Sequence, residues 1–472
     1  MADDAAGSDQ TDKQKRAVYC VRAAAGVVGE GLPDQARAFL TLATHHDIAT
    51  VRGLLPVLPG PVRAMAAQAL IFHGVRGGEI GRPCALLGRA GPTLAPAAEA
   101  LVRNLFDHHQ AAFEAGTAPP PRLADLYRPS GDVYADPQRP ARILMVIETR
   151  VNSSPLYMET EFLYHFSRTA SQAGMSVRVF EAGALLYDRP GQVSDEQIAE
   201  ARRRLDEEVA AFAPDIILLE ANFMPTSRTL DPSWVEAVRQ ARGCKVVPFL
   251  GDCYDNVPNF FRFWAPVSDL VIVFNQETTY PLFSGHFGKT FLACSLPFDE
   301  PTFAASENDK NLDMLIVGTS HRSRADFALM LEAHGVPLHN RLHMRLAVDA
   351  PTIPDYADLM RRSRLTFNTG RVEENRDLTI MTGRSVEAIL SRTVLLEEAG
   401  GPIDSFFLPF VHYVPFANAH QLVIFSQFLL AHPDYRQRLA DQALAWHQEH
   451  FNSARFWGAL LQRLGLPVVA SL

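Results

Sequence analysis

The sequence predicts an α/β protein: two Rossmann-like domains, preceded by an all-α N-terminal domain. Three observations carry this. From residue 141 onward, short apolar runs alternate with helical stretches of roughly 10–20 residues, the pattern of parallel βαβ units with helices on both faces of a sheet. The alternation breaks at the polar stretch Ser306-Glu-Asn-Asp-Lys-Asn311, which divides it in two. Before residue 118 the texture is instead Ala-rich, with apolar residues at spacings of three and four.

At 472 residues the chain is long enough for two or three domains with cores of their own. It is 47% hydrophobic and 21% charged, ordinary for a globular protein. The net charge is −9 and no Lys/Arg run stands out, which argues against a nucleic-acid partner. The five cysteines (Cys20, Cys84, Cys244, Cys253, Cys294) are odd in number and never in CxxC spacing. That argues against a disulfide framework or structural zinc, and for a reducing compartment. The opening MADDAAGSDQ is acidic and polar, unlike a secretory signal, and no apolar run approaches the ~20 residues of a membrane span. The expected location is cytoplasmic, where the glycosylation triplet Asn152-Ser153-Ser154 has no bearing.

Residues 1–14 read as a disordered tail, charged and without periodicity. Residues 15–117 read as a helical domain of short antiparallel helices. Phe39, Leu42, Ala43 and then Ile48, Val51, Leu54 and Leu55 recur at helical spacing, between Pro and Gly breaks at 56–61, 77–83 and 91–92. Such a unit is either a docking module for a protein partner or a stabilising cap on the Rossmann-like body. His45-His46 and His108-His109 are adjacent pairs, which point apart on a helix, so no metal is assigned to either. His339 and His343 would share a helix face but lack the glutamate of an HExxH site. Residues 118–140, from Pro119-Pro120-Pro121 to Pro140, read as a Pro-rich linker.

The first Rossmann-like domain is expected over 141–305. Its strands are Ile143–Ile147, Val177–Phe180, Ile216–Leu219, Val246–Leu250 and Leu270–Phe274, with helices at Tyr157–Ala173, Asp195–Phe212 and Pro232–Ala241. The second is expected over 306–450. It opens with strand Met314–Val317 and helix Ala325–His334, then helix Asp355–Arg362 and strand Leu365–Phe367. A helix from Ser385 to Leu390, strands Thr393–Leu396 and Val411–Val414, and helices Asn418–Leu430 and Pro433–His450 complete it. Within 451–472, Ser453–Leu464 forms a closing helix whose buried face is Phe456, Trp457, Leu460 and Leu461.

The stretch from Thr382 to Glu398 carries the chemistry. Gly383 reads as a turn, Ser385 as the helix N-cap, and Glu387 as a first-turn carboxylate suited to the positive end of the helix dipole. Backbone N–H groups at such an end hold phosphate oxygens. A carboxylate beside them accepts hydrogen bonds from two adjacent sugar hydroxyls. Phosphate grip next to diol grip reads as a nucleotide-diphosphate site.

Arg384-x-x-Glu387-Ala388, the apolar Val394-Leu395-Leu396, Asp404-x-Phe406 and the tail from Phe416 to Leu461 resemble the C-terminal half of group-1 glycosyltransferases of the GT-B fold. The resemblance is nearest to the spore-maturation-type branch. It is clear over Leu312 to Leu464, architectural over Ala141 to Glu300, and does not reach residues 1–140. It implies two domains facing a cleft, the nucleotide-sugar donor in the second and the acceptor in the first, with the closing helix crossing back onto the first.

Ligands of open parallel sheets bind beyond the C-terminal ends of the strands. In the second domain, Gly318 and Thr319 offer close backbone approach, and Arg322 and Arg324 offer charge. The resemblance puts a Gly-to-Arg turn here against the donor diphosphate. Asn368 ends the next strand, and the charged loop Glu373–Asp377 after it reads as solvated. Thr382, Gly383, Arg384 and Glu387 complete the donor set: Arg384 matches a phosphate bidentately, and Glu387 clasps the ribose diol. Many retaining relatives carry a second glutamate with seven residues between the two, but counting back from Glu387 gives Thr379.

First-domain strand ends face the acceptor. They offer Asp252, then Glu148, as the base that deprotonates an acceptor hydroxyl. No Asp-x-Asp pair holds a metal-bound diphosphate, so helix dipole and arginines are expected to stabilise the leaving group without metal or other cofactor. The expected function is a hexosyltransferase-type glycosyltransferase acting from a nucleotide-diphosphate sugar onto a glycan or protein hydroxyl. A catalytically inactive scaffold of the same fold and a UDP-sugar epimerase are the rivals. No Gly-x-Gly-x-x-Gly follows a strand and no Gly-x-Ser-x-Gly occurs, which argues against a dehydrogenase and a serine hydrolase.

Overall fold

The computed structural model describes residues 96–467, apart from 129–139, 151–158, 224, 252–262, 275–288, 320–321, 344–351 and 373–374, together with scattered positions between Gln14 and Val62. Two parallel sheets organise it. The first has six strands, β1 (Arg142–Ile147), β2 (Ser176–Glu181), β3 (Ile216–Glu220), β4 (Lys245–Leu250), β5 (Val271–Phe274) and β6 (Thr290–Ala293), in the order β2-β1-β3-β4-β5-β6. The second has five, β7 (Leu312–Thr319), β8 (Leu338–His343), β9 (Ser363–Asn368), β12 (Val394–Glu398) and β13 (Val414–Phe416), in the order β13-β12-β9-β7-β8. Ile143–Ile147 and Ile216–Leu219 are fully buried. Continuous apolar runs of this kind follow from a parallel sheet covered on both faces.

The helices are α1 (Pro96–Glu114), α2 (Glu161–Gln172), α3 (Asp195–Phe212), α4 (Pro232–Arg242), α5 (Arg322–Ala333), α6 (Ile353–Arg362), α7 (Gly383–Leu390), α8 (Ala419–Ala431), α9 (Pro433–His450) and α10 (Ser453–Leu464), with short turns at Gly183–Leu186 and Glu300–Phe303. Local chemistry sets their starts. Ser194 and Gln197 form a capping box on α3, and the Asp231 carboxylate caps α4 ahead of a proline at its first position. Among the described residues no helix is long and apolar enough to cross a membrane.

The strand expected at Val411–Val414 begins only at Val414 (β13), because 411–412 form a turn in which His412 N donates to Leu408 O; the other expected strands and helices are present, with four further differences. β6 and β8 were not expected: β6 is buried throughout but only four residues long, and the edge strand β8, Leu338-His-Asn-Arg-Leu-His343, carries no apolar run. This makes the His339–His343 segment strand rather than helix. The charged loop after Asn368 is an antiparallel hairpin of β10 (Arg371–Val372) and β11 (Asn375–Thr379), closed at its base where Ile380 N donates to Gly370 O at 2.8 Å. Third, α7 begins at Gly383 with Thr382 as its N-cap, so Ser385 is not the cap and Glu387 falls in the second turn.

The fourth difference lies ahead of the first sheet. Most of 1–95 lies outside the described residues, but α1 packs into the core of the second sheet. Phe106 is fully buried against Phe410 and Phe428, both at 5.5 Å between ring centroids, and Tyr435 donates to Asp107 Oδ1 at 2.7 Å. His109 lies against the Phe410 ring. The first part of the expected linker is equally bound. Leu123 N donates to Ser405 O at 2.8 Å on the second half, and the Tyr127 hydroxyl accepts from Cys294 N at 2.9 Å on the first, with its ring stacked on Phe291.

Among the described residues the chain passes between the two halves three times: through 115–128, through the stretch leading into β7, and from α9 into α10. The passages touch one another. His450 Nδ1 lies 3.0 Å from Ala124 O, Ser453 N donates to Glu300 Oε1 at 3.2 Å, and Tyr127 meets Phe451 and Phe456 edge-on. α10 packs on the first half, where Trp457 Nε1 donates to Thr169 Oγ1 at 2.9 Å and its ring lies 5.8 Å from Phe166.

Candidate functional site

In an open sheet the strand order reverses at one place, and a crevice opens there beyond the strand ends. In the second sheet that place lies between β7 and β9. β7 delivers Gly318 to it and β9 delivers Asn368 and Thr369. Gly318 has φ +111°, and a Cβ there would lie 2.5 Å from Arg384 Nη2 and 3.8 Å from Arg324 Nη1. The glycine thus lets the Arg384 guanidinium lie against the backbone at the end of β7, where a Cβ would displace it, with the Arg324 guanidinium alongside. Arg324, 8% exposed, is fixed by Nε donating to Thr369 Oγ1 at 3.1 Å and Nη2 to Thr369 O at 3.3 Å. Arg384 Nη1 donates to Asn368 Oδ1 at 2.8 Å.

Glu387 joins the same cluster from α7. It is 5% exposed, and its Oε2 accepts from the Tyr356 hydroxyl at 2.5 Å. Its Oε1 lies 3.8 Å from where a Cβ on Gly383 would stand, so it faces the start of the helix. Burial pushes the carboxyl up to about 7, against the pull of Tyr356 and Arg384. Gly383 is needed for close approach: a Cβ would stand 3.2 Å from the Phe298 ring and 3.9 Å from Glu161 Oε2. Phe298 and Glu161 belong to the first half, so α7 starts where the two halves meet.

Gly318, Arg324, Asn368, Thr382, Gly383, Arg384 and Glu387 are therefore brought together. The side chains of Thr319 and Arg322 lie outside the described residues. Four participants were not anticipated: Thr369, Tyr356, Glu161 and Glu397. Glu397 is the readable one, because a carboxylate closing an apolar strand is buried and therefore needs partners. It lies opposite Asn368 in the parallel ladder and accepts from Asn368 Nδ2 at 3.0 and 3.1 Å and from Ser385 Oγ at 2.9 Å.

On the first half, Asp252 lies outside the described residues. Gly251 before it is held between Phe162 and Asn222, whose Oδ1 accepts from Gly251 N at 2.6 Å. Glu148 stands at the strand-order reversal between β1 and β3, but its carboxylate is already engaged by Arg189 Nη2 at 2.7 Å. Glu220 beside it accepts from Tyr187 OH at 2.5 Å and Glu148 N at 3.0 Å.

Burial also pushes Glu220 and Glu397 up to about 7. An acid with a raised pKa in the folded state binds more protons folded than unfolded. Its stabilising effect is full below the ordinary carboxylate value of 4.5 and is lost as pH rises through about 7. Glu220→Gln is therefore expected to flatten the fall in unfolding free energy over that interval in denaturant titrations. An unchanged slope would mean that Glu220 is ionised throughout.

A family model described as Glycosyl transferase-like matches residues 321–462. This glycosyl transferase-like segment holds Arg322, Arg324, Asn368 and Thr382 to Glu387, and runs from α5 into α10. A search of the curated proteins finds no match. Among solved structures, HepE of Anabaena in complex with UDP-glucose is similar at 12% identity, over 69% of this chain and 99% of that one, with a TM-score of 0.44. Sucrose-phosphate synthase from Thermosynechococcus elongatus gives 12% identity over 69% and 99%, with a TM-score of 0.45. An α-glucosyltransferase in complex with UDP and DNA gives 10% identity over 69% and 100%, with a TM-score of 0.48.

Proposed function

We propose that the protein is a glycosyltransferase of the GT-B type, which moves a sugar from a nucleotide-diphosphate sugar to a hydroxyl acceptor. The observation that carries this is the convergence of Gly318, Arg324, Arg384 and Glu387 at the strand-order reversal of the second sheet, inside or beside the segment that matches the glycosyl transferase-like family. Arg324, Arg384 and the first amides of α7 take the diphosphate. Glu387 takes the ribose hydroxyls on the oxygen that faces the helix start, while Tyr356 holds the other. Thr382 Oγ1 and Arg384 Nε are buried with no hydrogen-bond partner among the described residues, a costly state that a phosphate oxygen at this point would relieve.

In the transfer, the acceptor oxygen bonds to the anomeric carbon as the carbon–phosphate-oxygen bond breaks. The departing diphosphate keeps the electron pair, and its charge develops against both guanidinium groups and the helix start. Metal-independent hexosyl transfer is the form this cluster of cations suits. The acceptor proton goes to a first-domain base, with Asp252 before Glu148, because Glu148 would first have to leave Arg189. The acceptor is a glycan or a protein, in a cytoplasmic setting. The N-terminal stretch is a docking module for a partner or a stabilising cap, the burial of α1 in the core of the second half favouring the cap over 96–114, and the kinship is nearest the spore-maturation-type branch. The inactive-scaffold reading retains one favouring observation: Thr379 stands where many retaining relatives have glutamate.

A thermal-shift screen of UDP-, GDP-, dTDP- and CMP-sugars separates them. A ligand that binds only the folded state at 100 times its Kd stabilises by about 2.7 kcal/mol, so one donor class should raise Tm by several degrees. Turnover with that donor, read as donor hydrolysis, supports the enzyme. Binding without turnover favours the scaffold, and no shift with any donor removes both.

A further inference from the structure

Glu397 has no evident work in a purely structural account. It stands one residue before the end of β12 at 2% exposure, and its carboxylate is met by Asn368 and Ser385, both fully buried. Burying a carboxylate is expensive, and an apolar residue of similar size would fill the same volume without that cost. What the carboxylate does is orient an amide. When ionised the carboxylate only accepts hydrogen bonds, and both of its oxygens face the Nδ2 of Asn368, at 3.0 and 3.1 Å. The Oδ1 of Asn368 is then turned outward, where it accepts from Arg384 Nη1 at 2.8 Å. Ser385 donates to Glu397 Oε2 at 2.9 Å and so ties the first turn of α7 to the same anchor. Arg384 itself lies against Gly318, where there is no room for a Cβ.

We propose that Glu397 is a positioning residue for the donor diphosphate: through the amide of Asn368 it sets the guanidinium of Arg384 at the end of β7. This rests on the reading of the site as a nucleotide-diphosphate site. Glutamine at 397 presents an NH2 as well as an oxygen, and that NH2 competes with Arg384 for Asn368 Oδ1. The guanidinium then loses its fixed partner while remaining charged and close by.

The test is a double-mutant cycle on the full chain, with Kd measured by calorimetry for whichever of UDP, GDP and dTDP binds the wild type. Glu397→Gln is expected to weaken binding about tenfold when Arg384 is present and less than twofold in an Arg384→Ala background, because coupled residues do not add. Ser385→Ala, which leaves the carboxylate in place, is expected to weaken binding about threefold with the same dependence on Arg384. Equal losses in both backgrounds would mean that Glu397 acts only on the general fold, and would overturn the proposal while leaving the donor site standing. Undiminished affinity in a folded Glu397→Gln protein would overturn it too. Failure of the wild type to bind any of the three nucleotides sinks the site reading itself, and this inference with it.

Discussion

Glu387→Ala is expected to weaken donor binding on the order of a hundredfold while the protein stays folded. The carboxylate has one oxygen held by Tyr356 and the other facing the start of α7. Hydrogen bonds to a charged group contribute about 1.5–3 kcal/mol each, and 1.4 kcal/mol is a tenfold change in Kd. Two ribose hydroxyls on this carboxylate therefore account for about two orders of magnitude. The variant also leaves the Tyr356 hydroxyl without its acceptor, which costs about 1–3 kcal/mol of stability. Tyr356→Phe with Glu387→Ala restores much of that stability and none of the binding. Calorimetry with the donor identified by thermal shift gives the answer. Undiminished affinity in a folded Glu387→Ala protein would remove the ribose assignment.

Trp457→Ala is expected to cost about 3–5 kcal/mol, the range for truncating a fully buried aromatic. Trp457 is 0% exposed, and its ring lies 5.8 Å from Phe166 and 5.1 Å from Phe456. With Phe456 on Phe291 and Arg463 Nη2 donating to Thr290 O, it fastens α10 to the first half. Trp457→Phe, which keeps most of the ring and loses the bond to Thr169, should cost about 1 kcal/mol for the bond plus a small packing term. Denaturant midpoints of the two variants check this. A Trp457→Ala protein within about 1 kcal/mol of wild type would show that α10 is not what joins the halves.

How far these features were legible depended on how many faces of an element are buried. Interior strands such as Ile143–Ile147 and Ile216–Leu219 are apolar throughout because both sides are covered, and their pattern is plain. The edge strand β8 carries no such pattern, β6 is buried but only four residues long, and the hairpin of β10 and β11 is made of residues that usually mark solvated loops. The clustered residues Gly318, Arg324, Asn368, Arg384 and Glu387 were readable because each stands near a strand end or helix start, where position follows from topology. Tyr356 and Thr369 were not, because their roles come from contacts across 31 and 45 residues of chain. Gly383 was read as a turn. Its purpose is different: Phe298, from the other half, needs the space.

The α1 stretch and the residues after it looked like a separate module and a loose linker. Apolar spacing shows that a helix buries a face, but it does not say which neighbour covers it. Phe106 finds its neighbours some 300 residues further along, as Gln110 does in donating to Phe410 O across a separation of 300.

Among the described residues, three passages of chain between the halves run abreast, in contact through Ala124, Tyr127, Glu300, His450 and Ser453. Three covalent tethers gathered along one edge behave as the pin of a hinge. Sliding one half past the other would stretch every tether at once, whereas swinging about the shared edge stretches none. A rotation about that edge is thereby the relative displacement of the halves that the covalent chain itself resists least, like a door with all its fittings on the same jamb.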